Sequence, residues 1–267
     1  MKKHHLPLMI VICLFACKSP GPRKSSEINF KNKDSANVQV SAKSDSPPNY
    51  KPYILEEPSI PPYGLDSVKA LIRKITWEDD SSGDGGVEAI DVRVYKSLPI
   101  KLKFTYNMIH PESYSQMCDI LPSREHEENR IYGELTDNFG EYDWSDRQID
   151  FFKENRDSVE NLMKETIEKD NIIGSNFKEA IVAINGKEMI PFLINFYNKE
   201  KKDHYILTML MLLMKNNNYA EFMNSISYKK LYDGNEDSYS KYLIHNKANE
   251  ELIIQRATNY YNGLQTK

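Results

Sequence analysis

Cysteine is scarce in this chain of 267 residues: it occurs three times, at positions 13, 17 and 118. That excludes a disulfide scaffold and a zinc–thiolate site. Glycine occurs eleven times, and the thirteen prolines follow no period, so a collagen-like chain is excluded too. Neither sign of charge dominates. Thirty-five Lys and Arg against 39 Asp and Glu leave a net −4, far from the basic excess with which a nucleic-acid binder neutralises phosphates, so nucleic acid is not an expected partner. No apolar run approaches the ~20 residues needed to cross a bilayer. The chain has no P-loop, no GxGxxG and no GxSxG, and so lacks the common signatures for phosphate, dinucleotide and nucleophile-elbow chemistry.

What is present begins with an address. Residues 1–5 read MKKHH and residues 6–17 read LPLMIVICLFAC. A cationic start, about ten apolar residues and a small residue at the processing point form the grammar of an export signal. Leu14-Phe15-Ala16-Cys17 resembles the lipobox of bacterial lipoproteins, in which a peptidase cuts before a cysteine carrying a diacylglycerol thioether. Cys13 fits worse, because the residue before it, Ile12, is bulky and β-branched. The resemblance implies a signal peptide over 1–16 and lipidation at Cys17, with the bilayer as one partner. Acyl chains at ~0.8 kcal/mol per buried CH₂ would hold such a protein on a membrane. Removing residues 1–16 takes away Lys2 and Lys3 and no acid, moving the net charge from −4 to −6, so electrostatics gives no help at an anionic surface. Lys18 stands where enterobacterial inner-membrane lipoproteins carry aspartate. The outer membrane is therefore the implied address, with the body facing the periplasm. Cys118 is then the one remaining thiol, expected to be buried.

Residues 17–62 hold the acylated cysteine and a stretch rich in Ser, Pro, Lys and Asn with no sustained apolar period. Such composition cannot offset its ordering entropy, which predicts a disordered linker. Its root-mean-square reach is roughly 35–40 Å. A mainly α-helical domain is expected over 63–267. Val68, Leu71, Ile72 and Ile75 follow the spacing of one helix face. Phe104, Met108 and Ile109 belong to a helix stopped near His110 by Pro111. Ser145 with Gln148, and Asp157 with Glu160, each form a capping-box signature ahead of apolar residues. For residues 87–94 a short strand and an Asp91-capped helix are equally compatible. A final helix is expected from near Asn249 to Tyr261, with Leu252, Ile253, Ala257 and Tyr260 inward and Gly263 ending it.

Residues 175–225 read as helix, Gly-containing turn, helix, polar turn, helix. Phe177, Ala180, Ile181 and Ile184 line the first, which Gly186 ends. Met189, Ile190, Leu193, Ile194 and Tyr197 line the second, and Pro191 is tolerated in its first turn. Asp203 can cap the third, whose Tyr205–Met214 run is apolar all round and predicts burial between neighbours. GKEMIPFLINFYNKEKKDHYILTMLMLLM resembles short bacterial HEAT-type repeats, with His204 where those carry Arg after the Asp. The resemblance implies an irregular HEAT-like repeat or α-helical bundle. The wider C-terminal region also resembles a family of bacterial lipoproteins to which no activity is attached. The seventeen tyrosines, several near helix ends, suit amphipathic edge packing better than a partner surface.

Candidate chemistry is sparse. Asp80–Asp91 resembles an EF-hand calcium loop, with oxygens at positions one, three and five and Gly at six. It departs in Gly86 at position seven and in the short Asp91 at position twelve, and a solvated connector explains it as well. His110-Pro-Glu112 with Cys118 invites a thiol mechanism, yet local spacing supplies no base–nucleophile geometry. Glu125-His126-Glu127-Glu128 is not HExxH, since Arg130 takes the place of the second histidine. No catalytic residue, cofactor or metal ligand is assigned. The expected role is a membrane-anchored, non-catalytic module that binds an envelope protein through a helical-repeat face. An envelope hydrolase with scattered catalytic residues is the alternative.

Overall fold

A computed structural model describes residues 57–76, 78–79, 85–115, 126–136, 139–234 and 241–266. Among these the chain is mainly α-helical: α1 (Leu65–Ile72), α2 (Val92–Ser97), α3 (Ile100–Ile109), α4 (Asp146–Glu154), α5 (Arg156–Asp170), α6 (Ser175–Ala183), α7 (Ile190–Glu200), α8 (Tyr205–Asn216), α9 (Ala220–Met223), α10 (Ile226–Tyr232) and α11 (Lys247–Gln265). No helix among them is long and apolar enough to cross a membrane. Six strands of two or three residues form two small antiparallel sheets. In one, β1 (Glu78–Asp79), β2 (Gly85–Val87), β3 (Ser113–Ser115) and β5 (Tyr142–Asp143) lie side by side, with Gly86 opposite Tyr114 and Tyr114 opposite Tyr142. In the other, β4 (Arg130–Tyr132) pairs with β6 (Tyr242–Ile244), Ile131 opposite Leu243.

Local signals explain most helix boundaries. The capping box is formed: Gln148 Oε1 accepts from the Ser145 backbone N–H at 3.1 Å, and Ser145 returns the bond. Both readings of residues 87–94 hold in part, since β2 ends at Val87 and Asp91 then caps α2, its Oδ1 accepting from Arg93 and Val94 N–H at 2.9 and 3.3 Å. The second expected capping box does not form. Asn155 closes α4 through its N–H to Phe151 O and opens α5 through its carbonyl to Val159 N–H, so the two helices abut and Asp157 falls inside the first turn. Glu160 instead accepts from Arg156 Nε at 3.2 Å, one turn away. Pro191 sits in the first turn of α7 and Asp203 Oδ1 accepts from Tyr205 N–H at the head of α8. Helix α11 outruns its expected bounds at both ends. Asn246 caps it through Asn249 N–H, and Gly263 lies within the helix rather than at its end. Leu252 is half-buried, while Ile253, Ala257 and Tyr260 point inward as expected.

The main core is assembled around α8. All ten residues from Tyr205 to Met214 are buried, covered by α6, α7, α9, α11 and β4. At about 1.5–3 kcal/mol per fully buried large apolar side chain, this helix is the largest apolar investment of the fold. Phe104, Phe152, Phe177, Met163, Ile167 and Ile181 extend the core through α3–α6. A smaller cluster of Val68, Ile90, Tyr95 and Tyr106 joins α1, α2 and α3.

Candidate functional site

Helix α7 is capped by Lys201, whose φ of 53° turns the chain back sharply, and four residues later α8 begins. The tight corner drives His204 inward to 5% exposure. On the far side β6 runs out through His245 into α11, whose first turn carries Glu250. The imidazoles of His204 and His245 stack with centroids 3.5 Å apart and planes inclined by 22°. Glu250 gathers the donors around them: Lys201 Nζ at 2.6 Å, Tyr197 OH at 3.0 Å and His245 Nε2 at 3.4 Å. Beside the pair, Lys178 of α6 meets Asp203 at 2.8 Å, both side chains about nine-tenths buried or more. Tyr205 donates to Glu127 Oε1 at 2.5 Å and stacks on Tyr132 at 6.1 Å, with Lys178 Nζ 5.4 Å from its ring. Thr208 Oγ1 donates to Tyr132 O at 2.9 Å.

The electrostatics of this corner favour a neutral histidine at its centre. Burial, and secondly the charge of His245, push His204 down from 6.5 to about 4, against the opposing pull of the Arg130 and Lys201 backbone and of Glu250. Burial alone would raise Glu250. Hydrogen bonds from Lys201 and Tyr197 and the Lys201 charge outweigh it and hold the carboxyl below its ordinary value. A cleft of about 110 Å³ adjoins the corner, floored by Ile173, Tyr197 and Ile206, with Phe196, Lys199 and Lys202 among its other walls.

A second polar cluster ties the residue before β3 to α3 and α4. Glu112, 1% exposed, receives both arms of the Arg147 guanidinium, Nε at 2.7 Å and one terminal nitrogen on the other oxygen, together with Tyr106 OH and Ser145 Oγ, each at 2.6 Å. Arg147 also donates to Ile90 O at 2.9 Å and lies 4.3 Å from the Tyr95 ring centre. Burial would lower the arginine, but Glu112 more than compensates and raises it. The same surroundings push Tyr95 up to about 12, mainly by burial.

These clusters decide several candidates read from the sequence. His110 and Glu112 are each committed to another partner. His110 Nε2 bonds Glu88 O at 2.7 Å, burial lowers its pKa, and Glu112 is consumed by Arg147. Cys118 lies outside the described residues, as do Cys13, Cys17, the signal and nearly all of the expected linker. Of the calcium-like loop, residues 80–84 also lie outside, Gly85–Val87 are spent on β2, and Asp91 on capping α2. Of the acidic run, Glu125 lies outside, His126 is exposed with φ 56°, and Glu127 is buried under Tyr205. Among the described residues no group of three His, Cys, Asp or Glu side chains is arranged to hold a metal ion. The His204–His245–Glu250 grouping escaped the sequence reading, because 41 residues separate the histidines. Its one trace was His204 standing where a HEAT-type repeat has arginine. Comparison with protein-family models, curated proteins and solved structures finds no match for this chain.

Proposed function

We propose that this protein is a lipoprotein of the bacterial cell envelope, acylated on Cys17 and held at the outer membrane with its body facing the periplasm. Its helical domain serves as a non-catalytic module that binds another envelope protein through a HEAT-like helical surface. The observation that carries this reading is Leu14-Phe15-Ala16-Cys17 at the end of a cationic-then-apolar start, followed at once by a long polar stretch. Acyl chains supply the anchor, and the polar stretch supplies reach. The way the domain uses its ionisable groups supports a binding rather than a catalytic role. Glu112, Arg147, Lys178, Asp203 and Glu250 are all committed to internal partners that hold one element to another.

The test is metabolic labelling with a fatty-acid analogue in cells expressing the wild type or Cys17→Ala. The expected result is label and membrane association in the wild type and neither in the variant. Equal labelling of the two, or a native product that floats free of vesicles with an unmodified sulfur, overturns the proposal.

A further inference from the structure

Residues 57–63 read Glu-Pro-Ser-Ile-Pro-Pro-Tyr and belong to no helix or strand. Three prolines in seven residues favour an extended, polyproline-like backbone with little entropy left to lose on docking. The segment lies in a slot between α3, α5 and the start of α6. At its centre the carboxamide of Asn176, itself 0% exposed, reads both backbone groups of one residue. Ser59 N–H donates to Asn176 Oδ1 at 2.8 Å, and Asn176 Nδ2 donates to Ser59 O at 2.9 Å. A further bond from Nδ2 to Met108 O at 2.8 Å fixes the amide's orientation. Gly174 N–H donates to Ser59 Oγ at 2.9 Å. The approach is so close that a Cβ on Gly174 would sit 2.1 Å from Ser59 N. At the far end Tyr63 packs on Phe104 with ring centres 6.1 Å apart, donates to Glu165 at 2.8 Å, and accepts at its carbonyl from Thr105 Oγ1 at 2.8 Å.

Burial along the segment alternates. Ser59 and Pro61 are buried and Tyr63 half-buried, while Pro58, Ile60 and Pro62 are exposed. A main chain held by fixed hydrogen bonds, with alternate side chains entering the receptor, is how proteins recognise extended peptides. The segment joins α1 through Gly64 at φ 64°, so its departure leaves α1 intact, while the groups it vacates on Asn176, Gly174 and Thr105 stay available to an incoming peptide that presents the same atoms.

We propose that this slot is a binding site for an extended peptide of a partner protein carrying the pattern Ser-x-Pro-x-Tyr, and that residues 57–63 occupy it in cis until such a partner displaces them. The inference deepens the binding half of the proposed function and is independent of the Cys17 anchor, whose labelling experiment stands or falls separately.

The test uses the full chain with Ser59→Pro, which removes the N–H read by Asn176 and the hydroxyl read by Gly174 while leaving every slot residue intact. The probe is a fluorescent synthetic peptide of residues 57–63, followed by anisotropy, with amide exchange at Ser175, whose N–H donates to Glu57 O and keeps that acceptor in the variant, reporting whether the slot is open. The expected result is faster exchange at Ser175 and saturable binding to Ser59→Pro. Binding to the wild type should be at least about tenfold weaker, because its own segment competes at high effective concentration. Adding Asn176→Ala to Ser59→Pro should abolish the binding. Ser59→Ala, which keeps the N–H, should fall between and serves if the proline variant does not fold. Three outcomes overturn the proposal: an open slot that ignores the peptide, equal binding with and without Asn176, or unchanged protection at Ser175, since the Ser59 bonds would then not be what holds the segment.

Discussion

Acidification should unload the His204–His245 corner, and the size of the effect follows from its geometry. His204 titrates near 6.5 when exposed and about 4 in the fold. The folded form therefore resists a proton that the unfolded chain accepts. Between these two values the unfolded state binds more protons, so stability is complete above pH 6.5 and drains away as the pH falls toward 4. At 1.36 kcal/mol per pK unit the full difference is about 3 kcal/mol, and roughly 2.5 kcal/mol is lost by pH 4.5. The groups facing the ring explain why the proton is refused. His245 stacks at 3.5 Å, burial removes water, and Glu250 is already engaged by Lys201 and Tyr197. The positive end of α8, which begins at Tyr205, adds to the refusal. Urea unfolding of the wild type and His204→Gln, each near pH 7 and near pH 4.5, isolates the contribution. Glu250, whose lowered pKa also makes stability fall with acid, stays in both proteins and largely cancels in the difference. The wild type should lose about 2–3 kcal/mol more than the variant over this interval. Equal losses would refute the reasoning, because His204 would then titrate alike in the folded and unfolded chains.

Other substitutions probe the remaining structure. Glu112→Ala leaves the Arg147 guanidinium half-buried without its carboxylate and should cost about 3–5 kcal/mol in urea unfolding, with Glu112→Gln milder because it fills the site and keeps one of the two acceptor oxygens that Tyr106 and Ser145 use. Leu210→Ala, at the centre of α8 and 0% exposed, should cost about 2–5 kcal/mol by the same assay. Two glycine-to-alanine changes should differ in sign. Gly263→Ala meets nothing within 4 Å and should stabilise α11 by about 0.5–1 kcal/mol, whereas Gly174→Ala collides with Ser59 and should lower the melting temperature.

Much of the helical scaffold was legible in the sequence because its signals are local. Ser145 and Gln148 lie three apart, Pro191 stands at a first turn, and Tyr205–Met214 is an unbroken apolar run that has to be enclosed on every side. The errors came where a neighbour supplied what the local signal seemed to need. Asn155 joined two helices and displaced the cap expected at Asp157, and Gly263 continued a helix it was expected to end. Of the six strands among the described residues, five escaped and β2 was met only at Val87, because two or three residues are too few to show alternation. The polar clusters escaped for a different reason. Glu112 finds Arg147 across 35 residues and His204 finds His245 across 41, and pairings of that range leave no periodicity behind. Ser59 and Asn176, 117 residues apart, are the extreme case.

The encirclement of α8 sets an order of events for biosynthesis. Its ten sealed residues are finished long before α11, which forms one wall of their enclosure. Until α11 docks, one side of that apolar cylinder stays open to water. A premature stop between α10 and α11 should accordingly yield not a trimmed version of the protein but a product cleared by proteases.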